Sequence, residues 1–341
     1  MSETLAAPAA GAATRRPRVG FLGTGWIGRH RMQAILATEA IEPVAVSDPA
    51  PKAAEAAAQM APQAAVVDSL DALLDQELDG LVVATPSALH AEQSIAALNR
   101  GVAVFCQKPL GRTAAEAAAV VEAARAADRL LAVDLSYRFT RGMEQIREAV
   151  RAGALGRVYA ADLVFHNAYG PDKPWFYDPV QAGGGCVMDL GVHLVDLALW
   201  VLDFPAVERV ESALLAGGLP LERDGGKVED YAVATLHLAA GQVVRLACSW
   251  RLPAGCDAEI SAAFWGDAGG AAMRNIRGSF YEFEADAFDG TARRPLSRPP
   301  DGWGGRAAAQ WARTLAAGQR FDPECARLVQ VAETLDRIYG R

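Results

Sequence analysis

Three polar side chains interrupt an otherwise apolar stretch, CVMDLGVHLVDLALWVL (186–202): Asp189, His193 and Asp196. Spacings of four and three put all three on one face of a helix. Charge on a buried helix is costly unless it is paired or lines a site. The face therefore predicts either a proton-transfer base with its orienting carboxylate or a satisfied buried Asp–His pair. A metal held by Asp189 and His193 lacks an obvious third and fourth ligand. Gly183, Gly184 and Gly185 just upstream would let a ligand approach the backbone.

A second candidate is Lys108. Lysine occurs only at Lys52, Lys108, Lys173 and Lys227, and every other residue among the 33 basic ones is arginine. Lys108 follows the apolar run VAVFCQ and precedes Pro109, which places it at the carboxyl end of a strand, where doubly wound sheets bind ligands. Proline fixes the direction of the turn. A compact ammonium can bind a substrate oxygen and stabilise an alkoxide in ways a planar guanidinium does poorly. The other three lysines fall in presumed helix or loop surface.

Gly23-Thr24-Gly25-Trp26-Ile27-Gly28 has the spacing of a phosphate-binding turn between a strand and a helix. Asp48 follows about twenty residues later, at the end of the next apolar run, where a carboxylate can bind a ribose 2′-hydroxyl. That carboxylate favours NAD over NADP, with Lys52 nearby as the one opposing feature.

These residues need a scaffold, and the chain supplies one. RVGFLG (18–23), EPVAVSD (42–48), LVVAT (81–85), VAVFC (102–106) and LLAVDL (130–135) alternate with alanine-rich helical stretches, which predicts a parallel sheet covered on both faces. Beyond residue 136 the rhythm changes. After a helix (141–152), a strand (157–166) and the apolar helix, strand-like runs at 207–214, 229–239, 242–251, 257–265 and 278–284 succeed one another without helices. They predict a largely antiparallel sheet in a second, α+β domain. Helices over 303–317 and 323–339 complete it. The expected division is a tail over 1–16, a dinucleotide-binding domain over 17–136 and a second domain over 137–341.

With 341 residues, 51% hydrophobic and a net charge of −8, the chain suits two globular domains and lacks the field that gathers nucleic acid or anionic lipid. No run of about 18 uncharged apolar residues marks a membrane span. Five cysteines without a C-x-x-C pair argue against a disulfide framework or structural zinc and fit a reducing cytoplasm.

GTGWIG, TPSALH (85–90), QKP (107–109), SYRF (136–139) and GGGCVMDLGVHLVD (183–196) occur in the order and at about the intervals of the Gfo/Idh/MocA family, and the chain from Arg18 onward resembles that family of sugar and polyol oxidoreductases. The resemblance implies a Rossmann domain followed by an α+β domain whose open sheet mediates dimers or tetramers. It also implies that Lys108 binds the reacting hydroxyl, that His193 is the general acid/base with Asp189 beside it, and that Arg138 and His166 contact substrate. Gly23, Gly25, Trp26, Ile27, Gly28, Asp48, Thr85, Pro86, His90 and Gln107 would line the dinucleotide. Two departures stand out: Gln107 replaces the family's glutamate, and Ser87 stands where asparagine is common.

The resulting expectation is NAD-dependent oxidation of a sugar or polyol secondary alcohol, or its reverse. The rivals are a dinucleotide-binding regulator on the same fold, an NAD-dependent glycosidase of the same family, and a metal-dependent hydrolase. The aromatic loop from His166 to Asp178 could face a sugar ring or pack the two domains together.

Overall fold

The structure, a computed structural model, describes residues 15–222 and 225–341. The tail expected over 1–16 therefore lies outside the described residues as far as 14, and Arg15 pairs with Asp79 at 3.0 Å.

The short apolar runs form a parallel sheet of β1 (Arg18–Leu22), β2 (Glu42–Ser47), β3 (Ala65–Val66), β4 (Gly80–Val83), β5 (Ala103–Cys106) and β6 (Leu131–Val133). Its order is β3-β2-β1-β4-β5-β6, and every neighbouring pair is parallel. All residues of β4 and β5 are buried, as strands covered on both faces require. Helices α1 (Trp26–Leu36), α2 (Pro51–Met60), α3 (Leu70–Leu74), α4 (Ser87–Asn99) and α5 (Ala114–Ala127) make the crossovers. Strand order reverses between β1 and β4, so the loops leaving those two strands flank a crevice at the carboxyl edge. The glycine turn leaves β1, Thr85 leaves β4, and Lys108 leaves β5.

A 3-10 turn at Ser136–Phe139 leads into α6 (Arg141–Arg151), β7 (Val158–Asn167), α7 (Pro179–Ala182) and α8 (Val192–Val201). There follow β8 (Val207–Ala216), β9 (Leu219–Pro220), β10 (Tyr231–Leu238), β11 (Val243–Ser249), β12 (Ala258–Gly266), β13 (Gly270–Asn275), β14 (Phe283–Asp289) and β15 (Ala292–Ser297). They build a sheet in the order β15-β14-β13-β12-β7-β11-β10-β8-β9. Pairing is antiparallel except between β7 and β11. Strands β13 and β15 escape the sequence reading because GAAMRN is small and mixed, while ARRPLS carries arginines and a proline suited only to an edge. The run expected over 278–284 becomes β14, several residues later. One sheet face buries Phe165, Leu236, Val244 and Phe264 against α6 and α8; the other is open. Pro179–Val201 is a helical stretch long and apolar enough to cross a membrane by composition, but 89% of its apolar window is buried inside the fold.

The last two helices, α9 (Arg306–Ala316) and α10 (Ala326–Tyr339), change the expected division at 137–341. Helix α9 returns to the first sheet, because Ala307, Ala308 and Ala312 give it a shallow face on which Trp311 can lie. Trp311 packs on Phe105 with ring centroids 5.8 Å apart, and a Cβ on Gly80 would stand 2.8 Å from its ring. Helix α10 lies between α5 and α8.

Candidate active site

The glycine turn is built by close contacts. Gly23 has φ +80° and a Cβ there would meet the Ala84 carbonyl oxygen at 2.5 Å, while a Cβ on Gly28 would meet the Gly23 oxygen at 2.1 Å. Gly25 is different: a Cβ there meets nothing within 4 Å. It is also the N-cap of α1 and offers the helix no side-chain cap, so the first N–H groups are free for an anion. Asp48 braces the turn, its Oδ2 accepting from Thr24 N at 2.6 Å and its Oδ1 from Ala50 N at 2.8 Å. Gly25, Trp26, Ile27, Thr85 and Pro86 line a groove of about 490 Å³.

That groove runs into a cleft of about 380 Å³ that also holds Gln107, Lys108, Asp189 and His193. Lys108 Nζ donates to the carbonyl oxygen and to Oδ1 of Asp189, both at 2.7 Å. Asp189 Oδ2 accepts from Trp250 Nε1 at 3.0 Å. The His193 ring lies edge-on to Tyr137, centroids 4.8 Å apart, and its buried Nδ1 has no hydrogen-bond partner. Burial, and then the charges of Lys108 and Arg31, hold its pKa well below the usual histidine value, so the ring is neutral near pH 7. His90 is a buried strut, with Nδ1 2.6 Å from the Pro109 oxygen and Nε2 2.7 Å from the Thr85 oxygen. It ties the loops leaving β4 and β5 together.

Gln107 Nε2 donates to Asp134 Oδ2 at 2.6 Å, and Arg31 Nε donates to the same oxygen at 2.6 Å. The amide thus fills a place where a glutamate carboxylate would confront Asp134.

Several expectations change. Asp189 orients Lys108 and makes no hydrogen bond to His193. Asp196 does not share the cleft face with Asp189 and His193. Residues Val187–Gly191 form a π-turn, whose extra residue per turn breaks the simple 3.6 phase. Asp196, 1% exposed, instead holds Arg138, which donates from Nε to Oδ2 at 2.8 Å and from Nη2 to Oδ1. Arg138 therefore lines a different cavity, beside Trp200 and Phe204, and not the cleft. His166 also lies elsewhere: strand alternation sends Phe165 into the core and His166 to the opposite face, where Nδ1 is 2.7 Å from Ser249 Oγ and the ring stacks on Tyr231.

The three glycines before the π-turn serve close packing as well as access. Cβ atoms on Gly184 and Gly185 would meet the Tyr339 hydroxyl and the Glu229 carbonyl oxygen, each at 1.9 Å. Buried Glu229 accepts from Gly185 N and Val187 N at 2.9 Å and from the Tyr339 hydroxyl at 2.8 Å, locking the segment that carries Asp189. In the aromatic loop Trp175 and Phe176 line the cleft, whereas Tyr177 packs on Trp250 within the second domain and does not join the two domains. Arg31, Asp134, Tyr137, Glu229, Trp250 and Trp303 escape a reading of the sequence; only Asp134, a lone carboxylate closing an apolar strand, carries a signal there.

Two family models match the chain: an oxidoreductase family with an NAD-binding Rossmann fold over residues 17–135, and the GFO/IDH/MocA C-terminal domain over 143–272. The chain is 30% identical over 269 residues to the D-glucoside 3-dehydrogenase of Escherichia coli (strain K12), covering 75% of this chain and 76% of that protein. It is 28% identical over 282 residues to an inositol 2-dehydrogenase of Rhizobium meliloti (strain 1021), covering 82% and 81%. The solved structure of GenD2 from gentamicin A biosynthesis in complex with NAD matches with a TM-score of 0.80 at 25% identity, covering 98% of this chain and 96% of that one.

Proposed function

Because the chain belongs to the Gfo/Idh/MocA family of oxidoreductases, we propose that it transfers hydride between NAD and a secondary alcohol of a sugar or polyol. The observation that carries this reading is the meeting, in one cleft beside an anion-ready glycine turn, of the Lys108 ammonium and a neutral His193 ring.

Gly23, Gly25, Trp26, Ile27 and Gly28 would hold NAD at the turn with Thr85 and Pro86 beside it, and the bound dinucleotide would supply the hydride acceptor. Asp48 would accept from the ribose hydroxyls, and its carboxylate would repel the additional phosphate of NADP. His193 takes the hydroxyl proton, for which a neutral imidazole is the competent form. Lys108 binds the same oxygen and stabilises the negative charge that develops as the C–H bond breaks. Asp189 acts through Lys108, fixing where the ammonium sits. In the reverse direction His193 returns the proton.

A second copy of the chain covers the open sheet face, giving a homodimer or a tetramer. Ala213, Val233, Ala247, Val164 and Ser261 are in register across that face, and Val233 is 38% exposed, an uncharged row suited to a self-complementary interface. The five cysteines are all unpaired, which suits a reducing cytoplasm.

The test is a panel of sugars and polyols with NAD and NADP in parallel, followed by absorbance of the reduced cofactor. Oxidation with NAD is expected, and both Lys108→Ala and His193→Ala are expected to abolish it. Wild-type turnover by either variant would overturn the role assigned to that residue, and a clear preference for NADP would overturn that of Asp48.

A further inference from the structure

We propose that Asp134 makes this cleft selective for uncharged polyhydroxy substrates and against sugar acids, an inference that rests on the sugar-oxidising reading above. Among the described residues, the charged side chains lining the cleft are Arg31, Lys108, Asp134 and Asp189, with only the histidines His30, His90 and His193 besides. The four form two ion pairs: Arg31 with Asp134 at 2.6 Å and Lys108 with Asp189 at 2.7 Å. At the adjoining groove, Lys173 lies 3.1 Å from Asp172. Burial is the leading cause that lowers the pKa of each of the three histidines, so they add no standing positive charge at neutral pH.

A carboxylate entering this space finds no cation without an anion already on it. Arg138, the arginine best placed in sequence to receive one, is committed to Asp196. Asp134 goes further than neutralising Arg31. Its Oδ2 takes two donors, from Arg31 and Gln107, whereas its Oδ1 is buried and has none. That unmatched oxygen lies just behind the cleft wall, so a ligand carboxylate brought against the wall is repelled by it while a neutral hydroxyl is not. A buried acceptor without a donor is costly, and like charges brought together across a contact act against the wrong ligand. Gln107 belongs to the same device, because its amide can donate to Asp134 where a glutamate could not.

The experiment compares matched pairs: a glucoside with its glucosiduronate, galactose with galacturonate, glucitol with gluconate. Each is assayed with NAD for kcat/KM and, in the complex with NADH, for affinity by quenching of tryptophan fluorescence, since Trp175 and Trp303 line the cleft. The neutral member is expected to lead by at least about tenfold in both measures. In D134N, where Arg31 is left free to bind a carboxylate, that lead shrinks by about tenfold; if D134N does not fold, R31M must widen it. Equal or better use of the acids by wild type, while neutral sugars are oxidised, overturns this inference alone. A D134N preference identical to that of wild type removes Asp134 from the explanation. Neither oxidation nor binding of any pair member overturns the sugar reading and this inference together.

Discussion

Asp189 and Asp196 leave the same apolar helical segment, and each ends on a basic side chain contributed from earlier in the chain. Asp189 meets an ammonium in the cleft wall, where the two side chains are 19% and 15% exposed. Asp196, with 2% of its side chain exposed, meets a guanidinium flanked by Trp200 and Phe204. The planar fork of Arg138 is matched to both oxygens of Asp196, so that pair is closed on itself. Lys108 has three donors and gives two of them to Asp189, which leaves one for a substrate oxygen. The difference explains why a chain so short of lysine keeps one at the end of β5: an ammonium can be held firmly by protein and still have a proton to offer.

Opening the closed pair has the largest expected consequence for the fold. Arg138→Met strands a buried carboxylate, and a loss of about 3–5 kcal/mol in unfolding free energy is expected from urea titration, with the KM for substrate unchanged. A tenfold rise in KM at unaltered stability would return Arg138 to the substrate site.

A smaller effect comes from the histidines. The pKa values of His30, His90, His166 and His193 are all lowered, chiefly by burial. Unfolded histidine takes up a proton near pH 6.5, and the folded rings do so only at lower pH. Stability is therefore complete above that pH and falls as pH drops below it, by up to about 1.4 kcal/mol per pH unit for each of the fully buried rings of His90 and His193, and by less for the more exposed His30 and His166. Denaturant midpoints at pH 7.5, 6.5 and 5.5 check this; a flat profile would mean that the rings are charged in the fold.

Gln107→Glu probes the cleft side of the contrast, because it sets a second carboxylate against Asp134. Like charges at that distance resist joint ionisation, so the variant should lose roughly tenfold in kcat/KM relative to wild type at pH 8 and recover part of it at pH 6. An equal ratio at both pH values would show that the introduced carboxylate turns away from Asp134.

The parallel sheet, the glycine turn and the chemical promise of Lys108 and His193 were legible because each rests on local pattern: apolar runs, glycine spacing, and a polar residue on an apolar helix. The partner of each charge was not. Whether Asp189 serves His193 or Lys108, and whether Arg138 serves substrate or Asp196, depends on the phase of a π-turn and on contacts between residues distant in sequence. His166 was misplaced for a simpler reason, since period-2 alternation assigns it a face only once the packed side of β7 is known. The interior strand β13, the edge strand β15 and the return of α9 to the first sheet likewise depend on tertiary packing, with no strong local signal.

The open and closed pairs are separated most sharply by kcat for Lys108→Met and Arg138→Met, taken side by side at saturating NAD with a sugar that wild type oxidises. A fall of about 100- to 10,000-fold is expected for the lysine variant, against a value within roughly threefold of wild type for the folded arginine variant. Comparable kcat values for the two variants, or a larger loss for Arg138→Met, would contradict the assignment of the chemistry to Lys108.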